Sequence, residues 1–182
     1  MNYATIKNCD IANGPGVRVS LFVSGCTHRC KGCFNEIAWD FNYGQPFTQD
    51  TIDDILKMLA PEYVKGITLL GGEPFEPQNQ PTILELLRQI KMKYPTKSVW
   101  AFSGYLFDRD IVTGRLGPWE ITKEYLSYVD VLVDGPFVES LKDLNLRFRG
   151  SSNQRIIDVP ASLAKGEIVL WEDWQGIGRG MK

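Results

Sequence analysis

Three of the four cysteines fall within eight residues, in the run Cys26-Thr27-His28-Arg29-Cys30-Lys31-Gly32-Cys33. A secreted disulfide framework spreads its cysteines along the chain and pairs them. In a chain with intracellular features such a cluster reads instead as a metal site. Three thiolates at Cx3Cx2C spacing can hold three corners of a cubane iron–sulfur cluster and leave one iron without a protein ligand. The competing reading is zinc held by Cys26, Cys30, Cys33 and His28, the only histidine in the chain. Zinc sites of that kind ordinarily combine a short cysteine pair with a second, distant pair of ligands. Cys9 could in principle complete a four-cysteine set, but it stands in an alternating stretch and is expected to be a buried structural thiol.

The elements that must position this loop alternate between strand and helix. Val17–Ser24 reads as a strand, alternating at first and then continuously apolar, and the cysteine loop follows at its C-terminal end. Thr48 is placed as the N-cap of a helix whose buried face carries Ile52, Ile55, Leu56 and Leu59. Ile67–Leu70 forms a second strand running into Gly71-Gly72-Glu73-Pro74, and a helix around Pro81–Met92 follows, with proline in its first turn. Ser98–Phe102 is a third strand, closed by Ser103-Gly104-Tyr105. Glu120–Tyr128 is a short helix, and Val129–Val133 is a fourth strand ending at Asp134-Gly135-Pro136. The tail adds apolar stretches at Arg155–Val159 and Glu167–Trp171.

Repeated strand–helix units imply an α/β fold with a parallel sheet. Its strand-end segments gather at one face, where sites of this architecture are built. A closed eight-stranded barrel takes about 250 residues, more than the 182 present. The expectation is therefore an incomplete parallel β/α barrel of about six strands, open on one side. No domain boundary is evident. The net charge of −2 argues against broad electrostatic binding to nucleic acid or anionic membrane. No apolar run approaches the roughly 20 residues of a membrane helix, and the start lacks the basic and apolar regions of a signal peptide. A cytoplasmic location is expected.

The Cx3Cx2C loop followed by Phe34, with Gly71-Gly72-Glu73-Pro74 downstream, resembles the radical S-adenosylmethionine (SAM) superfamily. Within it, the chain is similar to the activating proteins of glycyl-radical enzymes, in particular those of the anaerobic ribonucleoside-triphosphate reductase. The likeness runs in order over about Met1–Arg155. It includes Asn13–Arg18, Leu21–Asn35, Gly44–Thr48, Pro77–Asn79, Ser103–Tyr105, Val131–Val138 and Arg149–Gln154. On this resemblance residues 1–182 form one radical SAM domain, with residues 156–182 as a C-terminal extension.

The resemblance implies that Cys26, Cys30 and Cys33 hold a [4Fe-4S] cluster whose open iron is chelated by the amino and carboxylate groups of SAM. The reduced cluster passes an electron to the sulfonium, giving methionine and a 5′-deoxyadenosyl radical. The cofactors carry this chemistry, so no acid–base pair is nominated. Gly71 and Gly72 let backbone approach a ligand closely, and in the family this segment, with Glu73, contacts the methionyl amino group. Gly32 permits close approach within the cluster loop. Phe34 takes the place of an aromatic residue packed near the adenine; relatives often carry tyrosine there, so stacking is kept without a phenolic hydrogen bond. Ser103 and Asp134 are weaker SAM or cation contacts, with capping as the other reading. His28 is expected to be a solvent-facing loop residue. Arg18 and the Asn13–Gly16 turn either shape the pocket or serve the strand alone, and Arg149–Arg155 either binds a partner, closes over SAM or simply connects.

The implied substrate is a backbone glycine in the C-terminal segment of the reductase, entering as a flexible loop through the open side. The implied electron donor is reduced flavodoxin or ferredoxin, and the working form is a homodimer or a complex with the reductase. Trp171, Trp174 and Gly176–Gly180 cover an edge strand or touch the partner. Three other readings stay open. An activase of another glycyl-radical enzyme, of the pyruvate formate-lyase type, is usually longer and carries extra cluster cysteines. A non-catalytic iron–sulfur electron carrier uses four cysteines per cluster. A zinc module would contain zinc without sulfide.

Overall fold

In the computed structural model, which describes residues 1–172, the period-2 pattern of the second strand decides which side of the sheet the helices cover. Along β2 (Val17–Val23), Val19, Leu21 and Val23 join the main apolar core. They pack there with Ile52, Ile55 and Leu59 of α1 (Gln49–Leu59) and Ile83, Leu87 and Ile90 of α2 (Gln80–Lys93). Arg18, Ser20 and Phe22 point to the other face, as alternation requires. Neighbouring strands repeat the pattern. Ile67 and Leu69 of β4 (Val64–Gly71), Val99 and Ala101 of β5 (Ser98–Phe102) and Leu132 of β6 (Val131–Asp134) face the helices. Trp100, Val131 and Val133 form a smaller cluster on the opposite face, against which Phe102, Phe148, Ile156 and Trp171 pack.

The sheet has seven strands in the order β3-β1-β2-β4-β5-β6-β7, and its end strands do not meet. β2, β4, β5 and β6 are mutually parallel. β1 (Asn2–Asp10), β3 (Gln45–Pro46) and β7 (Arg155–Asp158) are antiparallel. The open side is as expected, but the all-parallel, about six-stranded arrangement is corrected to four parallel strands with antiparallel flanks. The connections explain why. Only six residues separate β1 from β2, residues 11–16, and a parallel partner needs a crossover of a dozen or more, usually helical. The β6–β7 segment is long but holds only a three-residue helical turn, Glu139–Leu141. α3 (Trp119–Tyr128) completes the β5–β6 crossover, and α4 (Val159–Lys165) follows β7, with Asp158 Oδ1 accepting from the Ala161 N–H at 2.9 Å.

The stretch carrying Cys9 is thus an edge-side strand with register shifts, the second between Lys7 and Asp10. Cys9 has φ 60° there and is exposed, not buried as expected. A bulge turns its side chain outward, to 3.6 Å from Asn8 Oδ1 and 4.0 Å from Tyr63 Oη. Arg18 closes the end of the sheet remote from the cysteine loop. Its Nε donates to Thr68 Oγ1 at 2.8 Å, and Nη2 donates to the Ile67 and Ser98 carbonyls at 2.7 and 3.0 Å. Burial pulls its pKa down to about 10, which leaves it charged at neutral pH. Beyond β7, Leu170 bridges Ile157, and Trp171 stands edge-on to Trp100 at 5.0 Å. Trp171 therefore packs on the sheet, whereas Trp174 and Gly176–Gly180 lie outside the described residues.

At the far edge, the Asp134 side chain is fully buried and accepts two hydrogen bonds from Arg155 and one from the Phe107 N–H at 2.7 Å. Arg155→Ala leaves that carboxylate with one donor and is expected to cost about 3 kcal/mol in denaturant unfolding. Arg155 also donates to Asp108, holding its carboxyl below the usual range. Because the folded-state value is lowered, this contribution is present above about pH 4 and fades as pH falls through the lowered value. The stability difference between wild type and Arg155→Ala therefore narrows in acid.

Candidate functional site

The C-terminal ends of β2, β4 and β5 converge on a cavity of about 460 Å³. Cys26, Cys30, Gly32, Cys33 and Phe34 line it from the loop after β2, Gly71, Gly72 and Glu73 from the loop after β4, and Ser103 and Gly104 from the loop after β5. Its far wall comes from the β6–β7 segment, including Phe137, Leu144, Phe148 and Gln154. Asn13 also reaches it, whereas Arg18 does not. Of the residues expected to hold the cluster or contact SAM, Asp134 alone is not in the lining. Its two oxygens are turned to Arg155 and Phe107.

The loops are locked together through main chain. The Gly72 N–H donates to the Val23 carbonyl at 2.7 Å, and the Glu73 N–H donates to the Gly25 carbonyl at 2.8 Å. A Cβ on Gly72 would stand 2.5 Å from the Gly25 oxygen. The close approach this glycine permits is thus to the root of the cysteine loop itself. Gly32, at φ 74°, makes the corresponding turn within the loop.

Glu73 is 1% exposed, and its carboxylate ties three loops together. Oε1 accepts from the Phe75 N–H at 2.8 Å and from Ser103 Oγ at 2.9 Å. Oε2 accepts from the Gly104 N–H at 2.7 Å and meets His28 Nε2 at 3.0 Å. His28 is consequently not the solvent-facing loop residue expected from the sequence. Its side chain is 18% exposed and lies against the Tyr105 ring at 4.3 Å. Burial disfavours its charged form, but the bond to Glu73 carries its pKa above the ordinary value. With its Nε2 engaged by Glu73, only Nδ1 of His28 is left for another partner.

All three clustered cysteines are free thiols of intermediate exposure. Among the described residues, no three His, Cys, Asp or Glu side chains converge tightly enough to enclose a single metal ion. Cys26, Cys30 and Cys33 nonetheless line the same cavity, and thiolates are the soft donors that iron–sulfur clusters use. Burial pushes the Cys26 thiol up to about 12, with the negative charges of Glu73 and Glu76 adding to the shift against bonds from the His28 and Arg29 N–H groups. Cys26 is therefore a neutral thiol in the cofactor-free protein, and a cation must displace its proton. The Asn35 N–H already points at Cys33 Sγ from 3.4 Å.

Sequence reasoning missed three participants. Glu76 holds Thr27. Asn79 donates to the Ser24 and Glu73 carbonyls, at 3.0 Å each. Glu139 pairs with Lys31 of the cysteine loop at 3.3 Å. Two acidic residues three apart in a turn of Pro and Phe were the available signal, since a carboxylate packed away from water must find donors. The Arg149–Arg155 segment forms cavity wall: Gln154 Nε2 donates to the Gly135 carbonyl at 3.0 Å, and its Oε1 accepts from the Gly150 N–H at 2.8 Å. No described helix is long and apolar enough to cross a membrane.

Comparison with known proteins bears on this arrangement. Residues 12–157 match the family described as a 4Fe-4S single cluster domain. The chain is 42% identical over 156 residues to the anaerobic ribonucleoside-triphosphate reductase-activating protein of Enterobacteria phage T4, covering 86% of this chain and 93% of that protein. It is 45% identical to the protein of the same name from Escherichia coli K12, covering 85% and 96%. Against that from Vibrio cholerae the identity is 40%, covering 86% and 97%.

Proposed function

Because the chain belongs to the family of anaerobic ribonucleoside-triphosphate reductase-activating proteins, we propose that it activates that reductase by generating a radical on a backbone glycine of its C-terminal segment. The observation that carries this reading is the thiol count at the cavity. Cys26, Cys30 and Cys33 line it together, and Cys9 stands near Tyr63 at the opposite end of β2. Three protein ligands leave one iron of a [4Fe-4S] cluster open to a small molecule.

When bound, the reduced cluster would supply one electron to the sulfonium of SAM, so that methionine would leave and the 5′-deoxyadenosyl radical would take the glycine α-hydrogen. The chain's own residues position and enclose. Gly72 and the Glu73 main chain hold the cysteine loop against β4. Glu73 fixes Ser103 and Gly104 beside it. Phe34, 85% exposed at the mouth, offers an aromatic face to an adenine or to the entering peptide. Phe137, Leu144 and Phe148 give the cavity an apolar wall facing the cysteine loop. Asp134 is better read as a structural ion pair than as a SAM or cation contact.

In this reading the whole chain acts as one radical SAM domain in the cytoplasm, with residues 156–182 as its extension. Reduced flavodoxin or ferredoxin supplies the electron, and the protein works as a homodimer or bound to the reductase. The test is to combine the reduced, reconstituted protein with SAM and reductase deuterated at glycine. A glycyl radical signal with deuterium in the 5′-deoxyadenosine is expected. SAM cleavage without a radical on the reductase contradicts the assigned target.

A further inference from the structure

Glu76 plays no part in the proposed chemistry, yet it is one of the least exposed charged groups near the cavity, at 4%. Its Oε1 accepts twice from Thr27, from the backbone N–H at 2.8 Å and from Oγ1 at 2.6 Å, and the Tyr105 hydroxyl lies at 3.5 Å. Thr27 is the residue between Cys26 and His28. Two adjacent residues of the Cys26–Cys30 span are therefore gripped from the loop after β4, Thr27 by Glu76 and His28 by Glu73. The grips differ in charge. Glu73 faces a histidine, whereas the donors that meet Glu76 are neutral, so its negative charge remains beside the cysteines.

We propose that Glu76 is a positioning residue with two effects: its paired hydrogen bonds to Thr27 hold the Cys26–Cys30 span ready for the cluster, and its charge lowers the cluster's reduction potential. The first effect follows from geometry, since outer partners that orient ligands govern how well a metal is held. The second follows from Coulomb's law, because adding an electron beside a fixed negative charge is disfavoured. Cluster potentials respond to net charge and hydrogen bonding around the sulfurs. A low potential is what electron donation to a sulfonium demands. The inference rests on the cluster assigned above.

The two effects separate by substitution. Glu76→Gln keeps an acceptor oxygen where Thr27 needs it and removes the charge. Glu76→Leu removes both. Thr27→Ser keeps both donors, and Thr27→Val keeps only the N–H. Three readouts apply: hydrogen–deuterium exchange of residues 25–33 in the cofactor-free protein, iron and sulfide after anaerobic reconstitution, and an EPR-monitored reductive titration without SAM.

Glu76→Leu should speed exchange across Cys26–Cys30 and reduce cluster retention about 10-fold, with Thr27→Val between it and wild type and Thr27→Ser matching wild type. Glu76→Gln should retain the cluster with a midpoint shifted positive. Unchanged exchange and retention in both Glu76→Leu and Thr27→Val overturn the positioning role, and an unshifted midpoint in Glu76→Gln overturns the charge effect. Should Glu76→Leu fail to fold, Thr27→Val and Glu76→Gln decide both points. A wild type that holds no cluster overturns the proposed function and the charge effect with it, while exchange in the cofactor-free protein still decides the positioning role.

Discussion

Replacing Cys30 with alanine is expected to abolish cluster retention and all SAM-dependent turnover while leaving the fold nearly as stable as before. Cys30 is a free thiol of intermediate exposure on a loop outside the apolar core. Substitutions away from packed features stay within about 0.5 kcal/mol. Chemically the loss is complete, because with two thiolates left a second iron is open and no other cysteine lines the cavity. The check is iron and sulfide analysis after anaerobic reconstitution, beside a thermal melt of the cofactor-free protein. Full cluster content in Cys30→Ala would mean that the ligands have been misassigned. Cys33→Ala should behave alike. Cys9→Ala should retain the cluster in full.

Gly72→Ala is expected to damage stability and site together. Its Cβ would meet the Gly25 oxygen at 2.5 Å and the Ala38 oxygen at 3.0 Å, both main chain and unable to swing aside as a side chain would. Relief requires the loop after β4 to part from the cysteine loop, stretching the bonds from Gly72 to Val23 and from Glu73 to Gly25. Overpacking of this kind costs about 1–3 kcal/mol. The same displacement moves Glu73 away from His28, so cluster retention should fall in a protein that still folds at low temperature. Denaturant unfolding and reconstitution measure the two halves. A variant with wild-type stability and full cluster content would show that the interlock at Gly72 does not hold the loop.

The parts of this molecule legible in its sequence are those set by local periodicity. Ile52, Ile55, Leu56 and Leu59 fall on one face of a helix capped by Thr48, and Ser98–Phe102 is a strand with the limits read from the sequence. The strand-end segments also gather at one face, as a parallel sheet requires. What escaped depends on partners distant in the chain. Residues 2–10 are a strand only because β2 and β3 pair with them, and their half-exposed, bulged pattern carries little periodic signal. Cys9 was misplaced for the same reason, since alternation does not foretell a register shift. The direction of β7 depends on a connection with no helix to carry it across the sheet. His28 and Thr27 find their carboxylates 45 and 49 residues away. Asp134 looked like other strand-end polar residues until Arg155, 21 residues on, was seen to occupy it.

The most direct test of the central claim, that three cysteines hold a [4Fe-4S] cluster with one iron open to SAM, is EPR of the anaerobically reconstituted and reduced protein recorded with and without SAM. The account predicts a reduced-cluster signal that shifts when SAM is added. A cluster signal indifferent to SAM, or tightly held zinc without sulfide, would contradict it.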